Sequence, residues 1–327
     1  MLLWICIALA LFFDLLNGYN DSGALTATVI SSHALSPRQA LRLAAIGEFL
    51  GPFLFGVAVA TTIGQDLLMR ESLSLLVILA ALLAAVFWNF LTGRLGIPSS
   101  SSHALFGGLI GAALIASGQP SVIQSKGLLK ILFGLFLSPL AGFLAGFLLT
   151  RVIYFLASGA SPRVNTLFRF LQIITLFGMS LAHGANDAQK SMGIITLALV
   201  LSGSLTTFHV PFWVILICAT AIAIGSALGG WRNIRTLGGR VYRVRPIHGV
   251  ASQLSTASVI ALAAWLGGPV STTHVISSSV IGAGAAERLG KVRWQVGQEM
   301  LTAWLLTLPT TALIAAGIFW VLQHWIR

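Results

Sequence analysis

The chain has 327 residues, of which 57% are hydrophobic and only 8% are charged. Soluble domains carry about 25% charged residues, so this composition excludes a soluble globular protein and indicates a polytopic membrane protein. The net charge is +11, but the basic residues cluster in short loops between apolar runs. That placement is typical of a membrane-topology signal and argues against nucleic-acid binding.

Apolar runs recur along the whole sequence, and they are continuous rather than alternating, which favours helices over membrane β-strands. At about 20 residues per crossing, they provide roughly ten crossings. No basic residue precedes the first run and polar residues follow it, so we expect a membrane segment rather than a cleaved signal peptide. The runs are 2–16, 43–63, 72–92, 104–117, 127–157, 170–182, 192–202, 210–230, 254–267 and 300–322.

The first apolar run leads into a polar stretch, NGYNDSGALTA, at 17–27. Gly18 allows the chain to leave helical geometry, and Asn20 and Asp21 are residues that cap a following helix. The stretch therefore predicts a broken membrane helix. A carboxylate inside the membrane is rare and by default marks an ion or substrate path, although a capping role alone would also account for Asp21.

The second apolar run contains an acidic residue, Glu48, within the segment AAIGEFLGPFLFG. The glycines of this segment are typical of a surface on which helices pack closely. Glu48 either takes part in cation coupling or pairs two helices, and the sequence does not choose between these roles.

A run of four serines follows the third apolar run, with Pro98 before it and His103 after it. Proline followed by such residues is a helix-start signature, and the free N–H groups of a helix start suit an oxyanion. The alternative is that the hydroxyls bond to the preceding helical turn. For His103, and for its counterpart His274, we expect packing or hydrogen bonding rather than proton relay. The predicted anion ligands are Ser100, Ser101 and Ser102.

A second polar stretch, HGANDAQKSMG, lies at 183–193 between apolar runs. It repeats the glycine, asparagine and aspartate pattern with Gly184, Asn186 and Asp187, and so predicts a second helix break. Lys190 follows Asp187 by three residues, which places both side chains on one helix face. The ammonium group either forms an ion pair with Asp187 or meets the charge of a substrate.

The C-terminal part of the chain contains a loop with five arginines, at 231–246, which the positive-inside rule places in the cytoplasm. A second run of hydroxyl groups follows Pro269. At 72–117 and at 247–285, the number of crossings does not distinguish two full spans from one re-entrant hairpin, because both return the chain to the same side of the membrane. The further predicted anion ligands are Ser271, Thr272 and Thr273.

Internal similarity divides the chain into two copies, 1–160 and 161–327. The segments GIPSSSSHALFGGLIGA and GGPVSTTHVISSSVIGA are identical at seven of seventeen positions, and GYND pairs with GAND at nearly the same spacing. The loop at 63–71 is net negative, whereas its counterpart at 231–246 is strongly positive. We therefore predict two inverted repeats of about five crossings each, with broken or re-entrant helices at the centre and both termini outside the cytoplasm.

Inverted repeats are a hallmark of secondary transporters, whose substrate sites lie near the membrane midplane where broken helices meet. A hydrolase with a Ser102/His103 pair is a weaker hypothesis, because adjacent helix residues point about 100° apart, which is poor for a nucleophile and its base. No catalytic residue is predicted. An anion channel is also weaker, because central acidic residues would repel an anion that enters without a cation.

Four segments resemble the inorganic phosphate transporter (PiT) family, and the resemblance is closest to its bacterial low-affinity members. They are NGYNDSGALTATVISSHALSPRQA, IPSSSSHALFGGLIGA, SLAHGANDAQKSMGIITLAL and GGPVSTTHVISSSVIGAG. The resemblance implies an inverted-repeat transporter of phosphate with a coupling cation, present as a homodimer in the inner membrane. It also implies substrate and cation ligands at Asn20, Asp21, Ser100 to Ser102, Asn186, Asp187 and Ser271 to Thr273.

Two further site residues are predicted beside these, Lys190 for the substrate and Glu48 for the coupling cation. Gln253 stands where many sodium-coupled members have glutamate, and Lys190 is absent from those members, so the coupling ion is either a proton or sodium. The family also contains sulfate carriers, and phosphate travels either free or as a complex with a divalent metal. No cofactor is expected.

Overall fold

The computed structural model describes residues 1–69, 73–97, 99–230 and 244–325. Within these ranges the chain forms eleven α-helices and no β-strand. The helices are α1 (Leu2–Ser31), α2 (Pro37–Leu54), α3 (Ala58–Thr61), α4 (Leu75–Leu95), α5 (Ser101–Ser117), α6 (Ser125–Leu156), α7 (Val164–Leu201), α8 (Phe212–Leu228), α9 (Pro246–Trp265), α10 (Thr272–Glu287) and α11 (Trp294–Trp325).

Six of these helices are long and apolar enough to cross a membrane, namely α1, α4, α6, α7, α9 and α11. A bent pair formed by α2 and the segment Ala58–Asp66 raises the number to seven among the described residues. The sequence predicts roughly ten crossings, in part because the runs 170–182 and 192–202 are separated by polar residues. Both runs lie on the single 38-residue helix α7, and α5 and α8 have only 17 residues each.

The predicted helix breaks at the two polar motifs are wrong. Helices α1 and α7 run without interruption through both motifs, so their asparagines and aspartates lie inside helices and do not cap them. A Cβ on Gly18 would collide with the backbone of Ile222 in α8, and one on Gly184 with the backbone of Glu48 in α2. The glycines therefore allow close helix packing, while a continuous helix keeps its backbone groups hydrogen-bonded inside the membrane.

A bend lies instead between α2 and the segment that follows it. The two parts meet at 71°, Pro52 lies in the last turn of α2, and Gly56 adopts a positive φ of 73°. Proline removes a backbone donor, and glycine takes the left-handed conformation without a steric cost. The apolar run 43–63 is therefore folded as two helical pieces.

Both hydroxyl motifs begin a helix, as the sequence predicts. The side chain of Ser100 accepts a hydrogen bond from the backbone N–H of His103 at the start of α5. Ser271 does the same for the N–H of His274 at the start of α10. At 1.5 Å per residue, α5 and α10 are about 25 Å long, which is shorter than the hydrocarbon core of a bilayer.

The packing of the helices repeats between the two halves of the chain, whose predicted boundary falls between α6 and α7. The first helix of each half packs on the second helix of the other half, so α1 contacts α8 and α7 contacts α2. In the same way α5 contacts α11 and α10 contacts α6. Helices α1 and α7 also contact each other, which brings the two polar motifs together.

Several residues used for the predicted orientation and for the first hydroxyl motif lie outside the described residues. They are Arg70, Glu71, Pro98, Arg232, Arg235, Arg240, Arg243 and Arg327.

Candidate functional site

Two aspartates from different halves of the chain share a threonine. Asp21 on α1 and Asp187 on α7 are both buried. The Oγ1 of Thr272, in the first turn of α10, lies 3.0 Å from Oδ2 of Asp187 and 3.5 Å from Oδ2 of Asp21. Thr273 donates to Oδ1 of Asp21 at 2.8 Å. The structure therefore brings two of the predicted anion ligands onto the two predicted carboxylates.

A histidine that the sequence analysis did not assign to the site lies between the carboxyl groups. Nε2 of His183 is 3.3 Å from Oδ2 of Asp21 and 3.6 Å from Oδ2 of Asp187. Its Nδ1 is 2.7 Å from Oε1 of Glu48. Glu48 therefore reaches the site through the imidazole ring and joins α2 to α7, which is the helix-pairing role left open by the sequence. An imidazole with a proton on each nitrogen can donate towards all three carboxylates.

Lys190 forms an ion pair with Asp187, and neither side chain is exposed. Its Nζ lies 2.6 Å from Oδ1 of Asp187, which agrees with the shared helix face predicted from their spacing. Asn17 on α1 donates to the other oxygen of Asp187 at 2.8 Å. Asp21, in contrast, lies within ion-pair distance of no lysine or arginine in the part of the chain that the structure describes.

Asn17 and His183 occupy equivalent positions in the two copies, four residues before Asp21 and Asp187. Each reaches across to the aspartate of the other copy: Asn17 to Asp187, and His183 to Asp21. A spacing of four residues places both members of each pair on one helix face. That spacing is the signal by which the sequence could have identified them.

Three other predicted ligands bond to backbone carbonyls. Asn20 donates to the carbonyl of Asn89 at 2.9 Å, Asn186 to that of Gly268 at 3.3 Å, and Ser102 to that of Val270 at 2.9 Å. These side chains hold α1, α5 and α7 against neighbouring segments. Oδ1 of Asn186 is buried and has no hydrogen-bond partner, so it remains available as an acceptor.

The two histidines after the hydroxyl runs pack, as expected. Nδ1 of His103 lies 2.8 Å from Oγ of Ser100. The rings of His103 and His274 have centroids 4.7 Å apart, and His274 stacks on Trp304 at 3.8 Å. Ser102 donates to a carbonyl rather than to His103, so the Ser102/His103 pair considered for a hydrolase is not formed.

The space beside Asp21 is very small. A cavity of about 10 Å³ is lined by side chains from α1 and α4 and from the segment that begins α5. A volume of roughly 10–15 Å³ holds one water molecule, so a phosphate ion does not fit without rearrangement. Ser101, one of the predicted anion ligands, lines this cavity together with Asp21. The lining residues are Asn17, Asn20, Asp21, Asn89, Thr92, Ile97, Ser99 and Ser101.

A single cation could be held by the same cluster. Ligand atoms of Asp21, His183 and Asp187 all lie within 4.8 Å of one another. Carboxylate oxygens suit hard cations, and each of the three groups can also bind a proton. The arrangement can therefore bind a cation or a proton between α1 and α7, which belong to different halves of the chain.

Replacing both Thr272 and Thr273 by alanine is expected to weaken phosphate binding about ten-fold or more. Both hydroxyls are predicted donors to the anion, and a hydrogen bond to a charged group contributes about 1.5–3 kcal/mol. The double variant Ser277→Ala/Ser278→Ala, on the same helix but outside the cluster, is the matched control. Phosphate affinity is measured by the concentration dependence of uptake, and an unchanged affinity in the threonine variant would rule out this role.

A sequence profile, related sequences and a solved structure all relate this chain to phosphate transporters. The sequence profile described as the phosphate transporter family matches residues 17–315. A "probable low-affinity inorganic phosphate transporter" of Bacillus subtilis is 43% identical over 318 residues, covering 96% of this chain and 95% of that protein. A protein of the same description from Rhizobium meliloti is 43% identical over 312 residues, covering 95% of this chain and 93% of its own.

A solved structure titled "The sodium-dependent phosphate transporter" is similar over 99% of both chains, with a TM-score of 0.89 and 26% sequence identity. The match therefore includes the whole arrangement of helices around the buried cluster. Together with the extent of the profile match, it confirms the resemblance seen in the sequence motifs: this chain belongs to the phosphate transporter family.

Proposed function

We propose that this chain is a secondary active transporter that moves inorganic phosphate across the inner membrane, coupled to protons or sodium. The observation that carries the proposal is the buried pair of aspartates, Asp21 and Asp187, which come from equivalent positions in the two copies and share Thr272. A carboxylate in a membrane is expensive to bury and by default marks an ion or substrate path. Two that meet at one point support such a path at the centre of the molecule.

The charges of the cluster support coupling to a cation. Asp21, Asp187 and Glu48 contribute three carboxyl groups, whereas Lys190 and His183 are the basic groups among them. Phosphate would add further negative charge. In a medium of low dielectric that charge requires positive partners, and protons or sodium ions that enter with the anion would supply them. An open anion channel does not fit a site with central carboxylates and space for about one water molecule.

The exchange of packing partners between the halves supports the inverted repeat. A two-fold axis that exchanges the two copies would exchange the α1/α8 contact with the α7/α2 contact. It would also exchange the contact of Asn17 with Asp187 for that of His183 with Asp21. Such an axis in the membrane plane is characteristic of transporters with inverted repeats. We propose that both termini are outside the cytoplasm, as the opposite charges of the loops at 63–71 and 231–246 indicate. We also propose that the protein is a homodimer in the bilayer, as the family resemblance implies.

Cysteines placed at residues 66 and 238 are expected to react with a membrane-impermeant thiol reagent from opposite sides. Residue 238 lies outside the described residues, and the prediction for it rests on the arginines around it. Both native cysteines, Cys6 and Cys218, are buried, so background labelling is low. Labelling of both positions from one side would contradict the inverted orientation.

Uptake of labelled phosphate into proteoliposomes tests the transport function. Purified protein is assayed under a pH gradient alone, a sodium gradient alone, and neither, with protein-free liposomes as the control. Accumulation above the external phosphate concentration under one gradient is expected, and it excludes both a channel and a hydrolase. Competition by sulfate tests the alternative anion, and a divalent-metal chelator tests transport of a metal complex. Absence of accumulation under every gradient would overturn the proposal.

A further inference from the structure

A third aspartate, Asp14, is buried on α1 outside the cluster described above. It precedes Asn17 by three residues and Asp21 by seven, and it has no exposed surface. The spacing places all three side chains on the same face of α1. A charge-bearing group in this position requires an explanation, because burying a carboxyl group inside a membrane protein is costly.

The contacts of Asp14 come from two helices of the other half of the chain. On α7, Ser191 donates to Oδ1 of Asp14 at 2.6 Å, and on α8 the thiol of Cys218 lies beside the carboxyl group. Oδ2 has no hydrogen-bond partner of ordinary geometry. Among the described residues, the charged groups with the largest effect on Asp14 are Asp187 and Lys190, and these two already form an ion pair with each other.

Asp14 therefore differs from Asp21 and Asp187 in having almost no compensation for a negative charge. Asp187 accepts from an ammonium, an amide and a hydroxyl, and Asp21 faces two hydroxyls and an imidazole. Asp14 has one hydroxyl donor and a thiol, which is a weak donor, and no lysine, arginine or histidine among the described residues forms an ion pair with it. A carboxyl group with a proton on Oδ2 and a hydrogen bond to Oδ1 satisfies this environment, whereas a carboxylate does not.

The location of Asp14 gives such a proton a role. The carboxyl group lies where α1 of the first half meets α7 and α8 of the second half, so a movement that separates these helices would open it to water. A proton carrier requires a group that is dry in one state and wet in another. We propose that Asp14 is the residue that binds the proton transported with phosphate, an inference that rests on the transport function proposed above.

Lys190 links this proton to the substrate site. Its ammonium group interacts electrostatically with both Asp187 and Asp14. While Asp14 carries a proton, Asp187 is the stronger partner for the ammonium group. Loss of that proton creates a second carboxylate that competes for Lys190, which weakens the compensation of Asp187 and hence the site where phosphate would bind.

The test compares Asp14→Asn, Asp14→Glu and Ser191→Ala with the wild type in proteoliposomes. Asparagine keeps the size of the side chain and an acceptor for Ser191 but cannot release a carboxyl proton. Three quantities are measured: phosphate accumulation driven by a pH gradient, proton entry with phosphate followed by an internal pH dye, and exchange of labelled for unlabelled phosphate at equal concentrations on both sides.

Asp14→Asn is expected to lose pH-driven accumulation at least ten-fold and to carry no protons with phosphate, while exchange continues. Asp14→Glu is expected to restore proton movement. Ser191→Ala, which keeps the carboxyl group, is expected to remain coupled with a shifted pH profile. The same accumulation, pH dependence and proton-to-phosphate ratio in Asp14→Asn as in the wild type would overturn the proposal. Wild-type transport driven by sodium without proton entry would overturn it as well, while leaving phosphate transport intact.

Infrared difference spectroscopy provides a readout that depends on neither transport nor the folding of Asp14→Asn. The phosphate-free protein is expected to show a protonated carboxyl band that moves in Asp14→Glu and is unchanged in Ser277→Ala, a control on α10. No change of that band in Asp14→Glu would contradict the proposal. If the wild type takes up no phosphate under any gradient, the transport function fails, and this measurement still decides whether Asp14 holds a proton.

Discussion

Replacing Asp21 by asparagine is expected to reduce phosphate accumulation to the level of protein-free liposomes. Its carboxylate accepts a hydrogen bond from Thr273 at 2.8 Å and lies 3.3 Å from His183. An amide of the same size preserves the packing but can bind neither a coupling cation nor a proton as a carboxylate does. The measurement is accumulated label under each gradient, normalised to the amount of folded protein in the membrane.

Asp187→Asn is expected to abolish accumulation as well, and also to destabilise the protein. The substitution leaves the ammonium group of Lys190 buried without its partner, and breaking a buried ion pair in this way costs about 3–5 kcal/mol. The double variant Asp187→Asn/Lys190→Met removes both charges and is the matched control for folding. It is expected to regain thermal stability but not transport. Near-normal coupled uptake by Asp21→Asn would show that the carboxylate of Asp21 is only structural. The same result for the double variant would show this for the carboxylate of Asp187.

Replacing Lys190 by alanine is expected to lower phosphate affinity about ten-fold or more, with partial recovery at lower pH or higher sodium concentration. The ammonium group lies 2.6 Å from Asp187, and it offsets one of the negative charges that converge at the site. At an effective dielectric of about 20, two like charges 4 Å apart repel by about 4 kcal/mol. Mobile cations bound in excess would replace part of the missing charge.

Two further variants separate charge from packing. Lys190→Met fills most of the space of the buried lysine without its charge, and Lys190→Arg keeps a charge in a larger side chain. If Lys190 supplies charge to the site, methionine should behave like alanine, with its apparent affinity depending more steeply on proton or sodium concentration. Wild-type affinity and cation dependence in both uncharged variants would mean that Lys190 serves only as a structural partner of Asp187.

Local chemistry explains which features of the site were predictable. A serine directly before a helix is a preferred acceptor for a backbone N–H of the first turn, so the starts of α5 and α10 could be predicted from the hydroxyl motifs. The ion pair of Lys190 with Asp187 was one of two predicted roles, because three residues separate them on one helix. Both inferences need only residues that are neighbours in the chain.

The glycines of the two polar motifs show where local reasoning fails. Gly18 and Gly184 can end a helix or allow two helices to touch, and both roles use the same absence of a side chain. The backbone of Ile222 lies against Gly18 and that of Glu48 lies against Gly184, so both glycines serve close helix packing. These residues are distant in the sequence, so the choice was not available from the motifs themselves.

Composition, the internal repeat and the motifs by themselves determined that this is a helical membrane protein of the phosphate transporter family, with aspartates and hydroxyl groups at its candidate site. Only the tertiary structure decided how those groups are paired: His183 between three carboxylates, Asn17 on Asp187, and Asp14 on Ser191. The physical reason is that all of these contacts except that of His183 with Asp187, which share α7, join helices from opposite halves of the chain. Hydrogen bonds and ion pairs act over a few ångströms, so their partners are set by which helices pack together and not by spacing along the chain.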